Sequence, residues 1–508
     1  MAVVEQFKDA IQKRDAAGVR TLLAAHPDLR SAINQPLFNS EPAIVFSRRD
    51  PAMVDVLLDF GADINARSQF WGRTVGVLDE NTEQMRAYLI ARGAIPEIDE
   101  FVEAVGAGQT ARVRTLLTTT PAVRPYIDRP LFPFGAPAVV AAKDDREMVA
   151  TLLEFGADIN ARSDWWAGGF GVLDNTSADQ AAWLISRGAL VDIHAAAALG
   201  MIERVKEWLA RDPSLVHAPG GDGQRPLHFA STKEIVDLLL EHGAEIDARD
   251  TDHRSTAAQY KVKDAELCRY LIQCGAAVDI FMAAALGDRE LVEQVLDVDP
   301  ESITARIGEP GYEPVPPGHI YQWKLDGGPS VLMVAAKDGG PEIYEFLRTR
   351  SPLKERFLAA CQLGDEQNAS KALVANPNLL LELAPADRAQ IVQAAFSHNL
   401  PALKVMLSLG FDVNTRGGEG FTPVSRAALR GDVEIVRVLI QHRADLEIRN
   451  DYGGTALESC QWGSLNFRDR HGDYPACVEA LLQSGAKLSY PHFGSEAVQA
   501  VLRRYCTR

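Results

Sequence analysis

The chain repeats itself, and this repetition limits its fold more than any other feature does. The nonapeptide FGADINARS occurs at 60–68 and again at 155–163, a spacing of 95 residues. The tetrapeptide GVLD at 76–79 likewise returns at 171–174. A duplicated unit of this size, which itself contains shorter copies, indicates an architecture in which each copy packs mainly against its neighbours.

Two kinds of shorter unit make up the large one. The first ends in Gly-Ala after apolar residues spaced three and four apart, such as Val54, Leu57 and Leu58. That spacing predicts an amphipathic helix, and a glycine in the left-handed conformation is predicted to end it. The second kind ends in proline, with leucine four residues earlier and alanine seventeen residues earlier. Its prolines are Pro27, Pro121, Pro213, Pro300 and Pro377.

Each unit is therefore expected to form two short helices and a loop, with a period of about 33 residues. RPLHFA at 225–230, followed by IVDLLLEHGAEIDARD at 235–250, resembles the signature of the ankyrin-repeat family, and FTPVSRAALRGDVEIVRVLI at 421–440 is a weaker copy. The alternation of Gly-Ala-ended and Pro-ended units is similar to a bacterial subgroup. The resemblance covers nearly the whole chain. It implies an all-α ankyrin-repeat solenoid of about fifteen helix-turn-helix units, with protruding loops that form a concave surface.

We expect a single continuous array over residues 1–508. Its predicted parts, in order, are a cap-like unit, repeats, a long insertion loop, further repeats and a capping helix, at 1–34, 35–304, 305–329, 330–490 and 491–508. The insertion is rich in proline and glycine and has no helical period. A second break, QWGSLNFRDRHGDYP at 461–475, is predicted to lengthen a turn between two helices. Such insertions often lie on the binding face of a repeat array, although a neutral surface loop is the alternative.

Composition excludes several classes of function. With 52 basic and 69 acidic side chains, the chain has a formal charge of −17 and lacks the basic surface that nucleic acid requires. No apolar run approaches the length of a membrane span, and the charged start predicts no signal peptide. The six cysteines form no CxxC pair, which argues against a zinc ribbon or a disulfide scaffold. We therefore expect a cytoplasmic protein with no membrane contact, no metal and no cofactor.

Aromatic side chains in the loops are the first candidate binding residues. Tryptophan and tyrosine supply rigid contact area for a partner, and the alternative is that they pack under neighbouring loops. The candidates of this kind are Trp71, Trp165, Trp166, Tyr321, Trp323 and Tyr452.

A polar group in ARDTDHRST, at 248–256, is the second candidate. It contains Asp250, Asp252 and His253 and is followed by Tyr260. If Trp323 and Asp326 of the insertion fold over this group, a cleft would form. Asp252, His253 and Asp326 would then be candidates for acid/base chemistry on a polar small molecule. The alternative is an ordinary loop tip, since aspartate favours tight turns.

Two further sites are weaker candidates for binding. His228 lies in RPLHFA, and the resemblance implies that this histidine forms hydrogen bonds between adjacent units. His471, Asp473 and Tyr474 form a polar cluster in RHGDYP that has too few ligands for a metal framework, and a turn held by the aspartate is the favoured interpretation.

The sequence favours a binding scaffold whose concave, aromatic and acidic surface holds a protein partner. The alternative is a small-molecule binding protein, possibly for a carbohydrate-like ligand, or an enzyme with a cleft formed by 228–260 and the 305–329 loop. We expect no enzymatic activity, and if there is one, it would be acid/base chemistry. Fold alone does not decide between these functions.

Overall fold

The computed structural model describes residues 2–69, 74–79, 81–325, 330–467, 469, 471–488 and 493–506. Regular secondary structure in these ranges is helical, and extended residues pair only in isolated bridges such as the one between Arg249 and Thr256. The all-α prediction is confirmed for this part of the chain. The number of about fifteen repeats, the solenoid shape and the single continuous array stay predictions.

The chain divides into two compact units, Met1–Ala277 and Val278–Arg508. The α-helices of the first unit are Ala2–Gln12, Ala16–Ala25, Ala43–Phe46, Pro51–Asp59, Glu83–Ile90, Pro96–Gly106, Thr110–Thr119, Ala138–Ala141, Arg146–Glu154, Ala178–Ser186, Ile193–Ala198, Ile202–Arg211, Pro226–Phe229, Lys233–Glu241, Ala257–Tyr260 and Ala265–Gln273.

The α-helices of the second unit are Ile280–Ala285, Arg289–Val298, Tyr321–Lys324, Val331–Val334, Pro341–Arg350, Leu353–Gln362, Glu366–Ala375, Leu379–Glu382, Pro385–Arg388, Gln390–Phe396, Leu400–Ser408, Pro423–Arg430, Val433–Gln441, Ala456–Asn466, Tyr474–Gln483 and Glu496–Cys506. In the described ranges, no helix is both long and apolar enough to cross a membrane.

Short polar caps and glycines set the helix ends. The Asp145 and Asp264 carboxylates accept hydrogen bonds from the backbone N–H groups of Met148 and Leu267, which satisfies donors that a helix start leaves free. The Gly-Ala units end as predicted, because Gly61 has φ +92° and Gly156 has the same value. The Pro-ended units differ in detail. Their proline begins a 3₁₀ turn, as in the segments Pro27–Ser31, Pro121–Tyr126, Pro213–His217 and Pro300–Thr304.

The buried apolar residues form clusters that are local in sequence. One cluster of the first unit extends from Phe7 to Ala94 and another from Ile98 to Ala195, while a cluster of the second unit extends from Phe357 to Leu502. Each fully buried apolar side chain contributes roughly 1.5–3 kcal/mol. Each of these clusters is thus built from consecutive copies of the repeated unit, as expected for a repeat architecture.

Both predicted insertions are more ordered than the sequence suggests. The second break was expected to be a turn from residue 461, but the helix Ala456–Asn466 continues through it, so Trp462 lies on a helix. The first insertion is described up to Leu325. It contains the helix Tyr321–Lys324, and its apolar residues Val315, Ile320 and Leu325 are buried. The sequence did not predict this helix, because the many prolines and glycines of the insertion obscure the spacing of apolar residues that indicates one.

Candidate functional site

Three loop tips of the first unit meet through main-chain hydrogen bonds. They comprise 163–170, 220–224 and 250–255, and we call them together the loop-tip surface. The backbone N–H of Asp222 donates to the carbonyl of Gly168 at 3.3 Å, and the carbonyl of Asp222 accepts from the N–H groups of Thr251 and Asp252 at 3.0 and 3.1 Å. Asp222 has φ +56°, a conformation that aspartate tolerates better than most residues. This turn directs its carboxylate toward the next loop.

Side chains of predicted site residues come together on this surface. The indole N–H of Trp165 donates to Asp252 Oδ2 at 3.4 Å, and His253 Nε2 lies 3.8 Å from Asp222 Oδ2. The donor atoms of Asp222, Asp252 and His253 all lie within 4.8 Å of one another. Sequence reasoning found Trp165, Asp252 and His253 but missed Asp222. Asp222 could have been found from its position, since it lies 30 residues before Asp252, at the equivalent position of the preceding loop.

A hydrogen-bonded group beneath the surface fixes the loop at 250–255. Asp250 accepts the N–H groups of Ser255 and His253 at 2.6 and 2.9 Å and the hydroxyl of Tyr260 at 3.1 Å. Gln224 Nε2 donates to the hydroxyl of Tyr260 at 3.2 Å. Asp250 and Tyr260 therefore position the loop, rather than presenting free groups at its tip.

His228 connects neighbouring repeats, as the family resemblance implied. Its Nδ1 accepts the N–H of Arg225 at 3.1 Å, so Nε2 carries the proton that it donates to the carbonyl of Ser255 at 3.1 Å. Burial lowers the pKa of His228, which favours this neutral form.

Two partly buried carboxylates, Asp222 and Asp252, lie at the centre of the loop-tip surface. Burial, reinforced by the charge of Asp252, raises the pKa of Asp222 to about 7, and the nearby His253 opposes the shift. Burial and the charge of Asp250 also raise the pKa of Tyr260, so its hydroxyl keeps its proton. A proton on Asp222 near neutral pH therefore relieves its repulsion with Asp252, and a bound cation would relieve the same repulsion at higher pH.

Aromatic rings border the carboxylates. The Phe134 and Trp165 rings pack edge to face at 5.1 Å between centroids, Phe134 and Phe170 at 6.0 Å, and Trp165 and Trp166 at 6.1 Å. Trp166 is 65% exposed and Phe134 is 38% exposed. The sequence singled out the two tryptophans as candidates. It did not single out the two phenylalanines, because a phenylalanine in a loop belongs to no motif that would distinguish it.

Two cavities lie in the first unit, and the larger one shares Asp164 with the loop-tip surface. One of about 530 Å³ is lined by Asn65, Arg67, Tyr126 and Asp164 among others, and one of about 180 Å³ lies beside Asp174. Neither of these two cavities includes Asp222, Asp252 or His253.

The predicted aromatic residues of the second unit differ in their surroundings. Tyr321 is fully buried and donates its hydroxyl to Asp279 Oδ2 at 2.9 Å, which makes it a core residue rather than an exposed binding group. Trp323 is 61% exposed. Tyr452 is also exposed, and its hydroxyl donates to Glu419 Oε1 at 2.8 Å.

The RHGDYP cluster has a structural arrangement. Asp473 caps the helix Tyr474–Gln483 by accepting the N–H of Ala476, so the favoured interpretation, a turn held by the aspartate, agrees with its contacts. Tyr474 is buried, and its hydroxyl accepts the N–H of Asp469 at 3.0 Å. The backbone N–H of His471 donates to Asp469 Oδ1 at 2.9 Å.

Two candidate residues, Trp71 and Asp326, lie outside the described residues. The hypothesised cleft combines residues 228–260 of the first compact unit with 305–329 of the second, and it stays a prediction.

Short helices repeated at a regular spacing, with polar and aromatic loop tips, define a helical-repeat protein. Comparison with known proteins gives the family: the model for ankyrin repeats (three copies) matches residues 193–281 and 391–491. Mouse protein phosphatase 1 regulatory subunit 27 is 31% identical over 104 residues, which cover 20% of this chain and 68% of that protein. The chain belongs to the ankyrin-repeat family.

Other relatives share shorter parts of their length. The putative ankyrin repeat protein FPV219 of fowlpox virus is 37% identical over 68 residues, 13% of this chain and 16% of that protein. Rat ankyrin repeat and SAM domain-containing protein 6 is 30% identical over 139 residues, 24% of this chain and 16% of that protein. The chain thus matches about a sixth of the length of these two relatives. Because the three relatives are viral and mammalian, the bacterial subgroup stays a prediction.

Proposed function

We propose that this chain is a scaffold that holds a protein partner and that the loop-tip surface of the first unit is its main contact. The observation that carries the proposal is Trp166, 65% exposed beside a cluster of aromatic rings and carboxylates. Tryptophan is one of the residue types that contribute most of the binding energy at protein interfaces. Burying the apolar surface of its indole against a partner removes that surface from water, which favours binding.

The charge of the surface defines the chemistry of the partner. Asp164, Asp222 and Asp252 lie beside the rings, and the whole chain has a charge of −17. A partner segment that carries lysine or arginine together with apolar side chains would complement both features. Charge complementarity of this kind raises the association rate, and salt weakens it.

The relatives support a protein partner. Mouse protein phosphatase 1 regulatory subunit 27 is, by name, a regulatory subunit of a phosphatase, and it shares 31% identity over 104 residues with this chain. A regulatory subunit acts by binding another protein. The small-molecule alternative gains less support, because the two cavities described above do not include the Asp222–His253 group.

A tryptophan substitution tests the proposal. The partner is first identified by cross-linking mass spectrometry with the full chain and then purified, and its affinity is measured by isothermal titration calorimetry. We expect Trp166→Ala to weaken binding about thirtyfold, since loss of an interface hot spot costs about 2 kcal/mol. Binding should also weaken as the salt concentration rises.

Two further variants give the experiment its controls. Val298→Ala removes an exposed apolar side chain of the second unit and should leave the affinity unchanged. Trp323→Ala tests the insertion, whose tryptophan is also exposed. Loss of binding in Trp323→Ala, with Trp166→Ala unaffected, would place the contact on the insertion and refute the assignment to the loop-tip surface.

A further inference from the structure

The group formed by Asp222, Asp252 and His253 has the composition of a metal site. Two carboxylates and one imidazole offer three donor atoms, all within 4.8 Å of one another. Their side chains come from the corresponding loops of two successive repeats, 30 residues apart in the sequence. The imidazole sets this group apart from an ordinary acidic loop, since histidine is a common ligand of zinc and related ions and not of calcium or magnesium.

The separation of two of the ligand atoms is close to that of a pair bound to one ion. His253 Nε2 and Asp222 Oδ2 are 3.8 Å apart, beyond the roughly 3.2 Å limit of a normal N–H···O hydrogen bond. Two donor atoms that each lie about 2.1 Å from one tetrahedral ion are separated by about 3.4 Å. A movement of a few tenths of an ångström would therefore bring both atoms to coordination distance.

Contacts around the group hold the ligands in place. The carbonyl of Asp222 accepts the N–H groups of Thr251 and Asp252, which fixes the two loops relative to each other. Asp250 Oδ2 accepts the N–H of His253 at 2.9 Å, and the Trp165 indole donates to Asp252 Oδ2 at 3.4 Å. Neighbours that orient ligands in this way raise metal affinity because less freedom is lost on binding.

We propose that Asp222, Asp252 and His253 bind one divalent first-row transition-metal ion, of which Zn²⁺ is the representative. Three protein ligands leave the fourth position of a tetrahedral ion for water or for a group of a bound molecule. The two carboxylate charges balance the ion, and the ion in turn relieves their mutual repulsion. The raised pKa of Asp222 reflects the same repulsion together with burial. The ion would neutralise two of the three carboxylates assigned above to the partner surface, and titration of the chain without a partner tests the metal site separately from partner binding.

Metal titration of the full chain tests the proposal. The protein is stripped with a chelator and titrated with Zn²⁺ in a calorimeter. We expect one Zn²⁺ per chain at this site and at least a tenfold loss of affinity in each of Asp222→Asn, Asp252→Asn and His253→Gln. The matched control is His217→Gln, an exposed histidine of the same unit outside the group, which should bind Zn²⁺ as the unmodified chain does.

A second measurement locates the ion and does not depend on the ligand variants. Co²⁺ bound at this site should quench the fluorescence of Trp165 and of the neighbouring Trp166, whose ring centroids lie 6.1 Å apart, and replacing both by phenylalanine should remove most of that quenching. Circular dichroism of each metal-free variant checks that it is folded. Unchanged Zn²⁺ affinity in Asp222→Asn and His253→Gln, or quenching that persists when Trp165 and Trp166 are both replaced by phenylalanine, would overturn the proposal.

Discussion

At the scale of single residues, copies of the repeat that have lost the Gly-Ala sequence still keep the left-handed backbone conformation that ends the helix. Most Gly-Ala copies end a helix with a glycine at positive φ, but the copy HRADLEIR has Arg443 at this position, with φ +61°. The left-handed conformation costs a residue with a Cβ roughly 1–2 kcal/mol more than it costs glycine. Neighbouring repeats therefore impose the turn on a residue that does not favour it.

Arg443→Gly is expected to raise the free energy of unfolding of the chain by about 1 kcal/mol, because the strain at φ +61° is removed. Urea unfolding followed by circular dichroism measures the change. The converse substitution, Gly485→Ala, is the matched control. Gly485 has φ +95° and open space around its Cβ direction, so alanine should destabilise by about 1 kcal/mol through backbone strain alone. Arg443→Gly should not destabilise the fold if this explanation is correct.

Single residues also show where sequence reasoning reaches its limit. The sequence indicated Asp252 and His253 as candidate site residues because they lie with Asp250 in one short polar loop. It did not find Asp222, whose partners come from a loop 30 residues later. Tyr321 and Trp166 both looked like exposed loop aromatics, yet Tyr321 is buried and Trp166 is exposed. The exposure of the two side chains differs because neighbouring elements pack over Tyr321 and not over Trp166, and the local sequence does not show this packing.

At the scale of elements, the first insertion is anchored by a buried ionic group. Arg306, near its beginning, lies 2.8 Å from Glu355 Oε2 and 3.2 Å from Asp387 Oδ1. All three side chains are buried, and Glu355 and Asp387 belong to the helices Leu353–Gln362 and Pro385–Arg388. The insertion is therefore attached to the helices of its unit at this end, although its sequence suggested an irregular loop.

Arg306→Ala is expected to lower the free energy of unfolding by about 3 kcal/mol, since it leaves two buried carboxylates that only the more exposed Lys354 still pairs, at 3.5 Å from Glu355 and 3.3 Å from Asp387. Chemical denaturation of the full chain provides the measurement. Arg416→Ala is the control, because Arg416 and Asp451 form an exposed pair at 3.1 Å and its removal should cost less than about 1 kcal/mol. Equal effects of the two substitutions would show that the insertion is not held in this way.

Helices and loops were predictable to different degrees. The spacing of apolar residues, with glycine at the end, predicted the helix Pro51–Asp59 and its termination at Gly61. The same reasoning failed at Ala456–Asn466, because Gly463 weakens the helical pattern while the backbone of Leu429 approaches too closely for a larger residue. Local patterns therefore predict regular elements well, and contacts between repeats decide the exceptions.

At the scale of the whole molecule, repetition explains both the stability and the site. Each described cluster of buried apolar residues is built from consecutive copies of the repeated unit. The loop-tip surface has the same origin, since successive loops place Trp165, Asp222 and Asp252 next to one another. A binding surface formed by loops of successive repeats needs no distinctive sequence motif. The sequence therefore indicated a binding scaffold but did not identify all the residues of its binding surface.

Hydrogen–deuterium exchange of the full chain, with and without the purified partner, tests the central claim most directly. Partner binding should slow exchange in peptides that cover 163–170, 220–224 and 250–255. Peptides that cover 305–325 should change little. Protection confined to 305–325, with no change in the three loops of the first unit, would contradict the assignment of the loop-tip surface as the binding site.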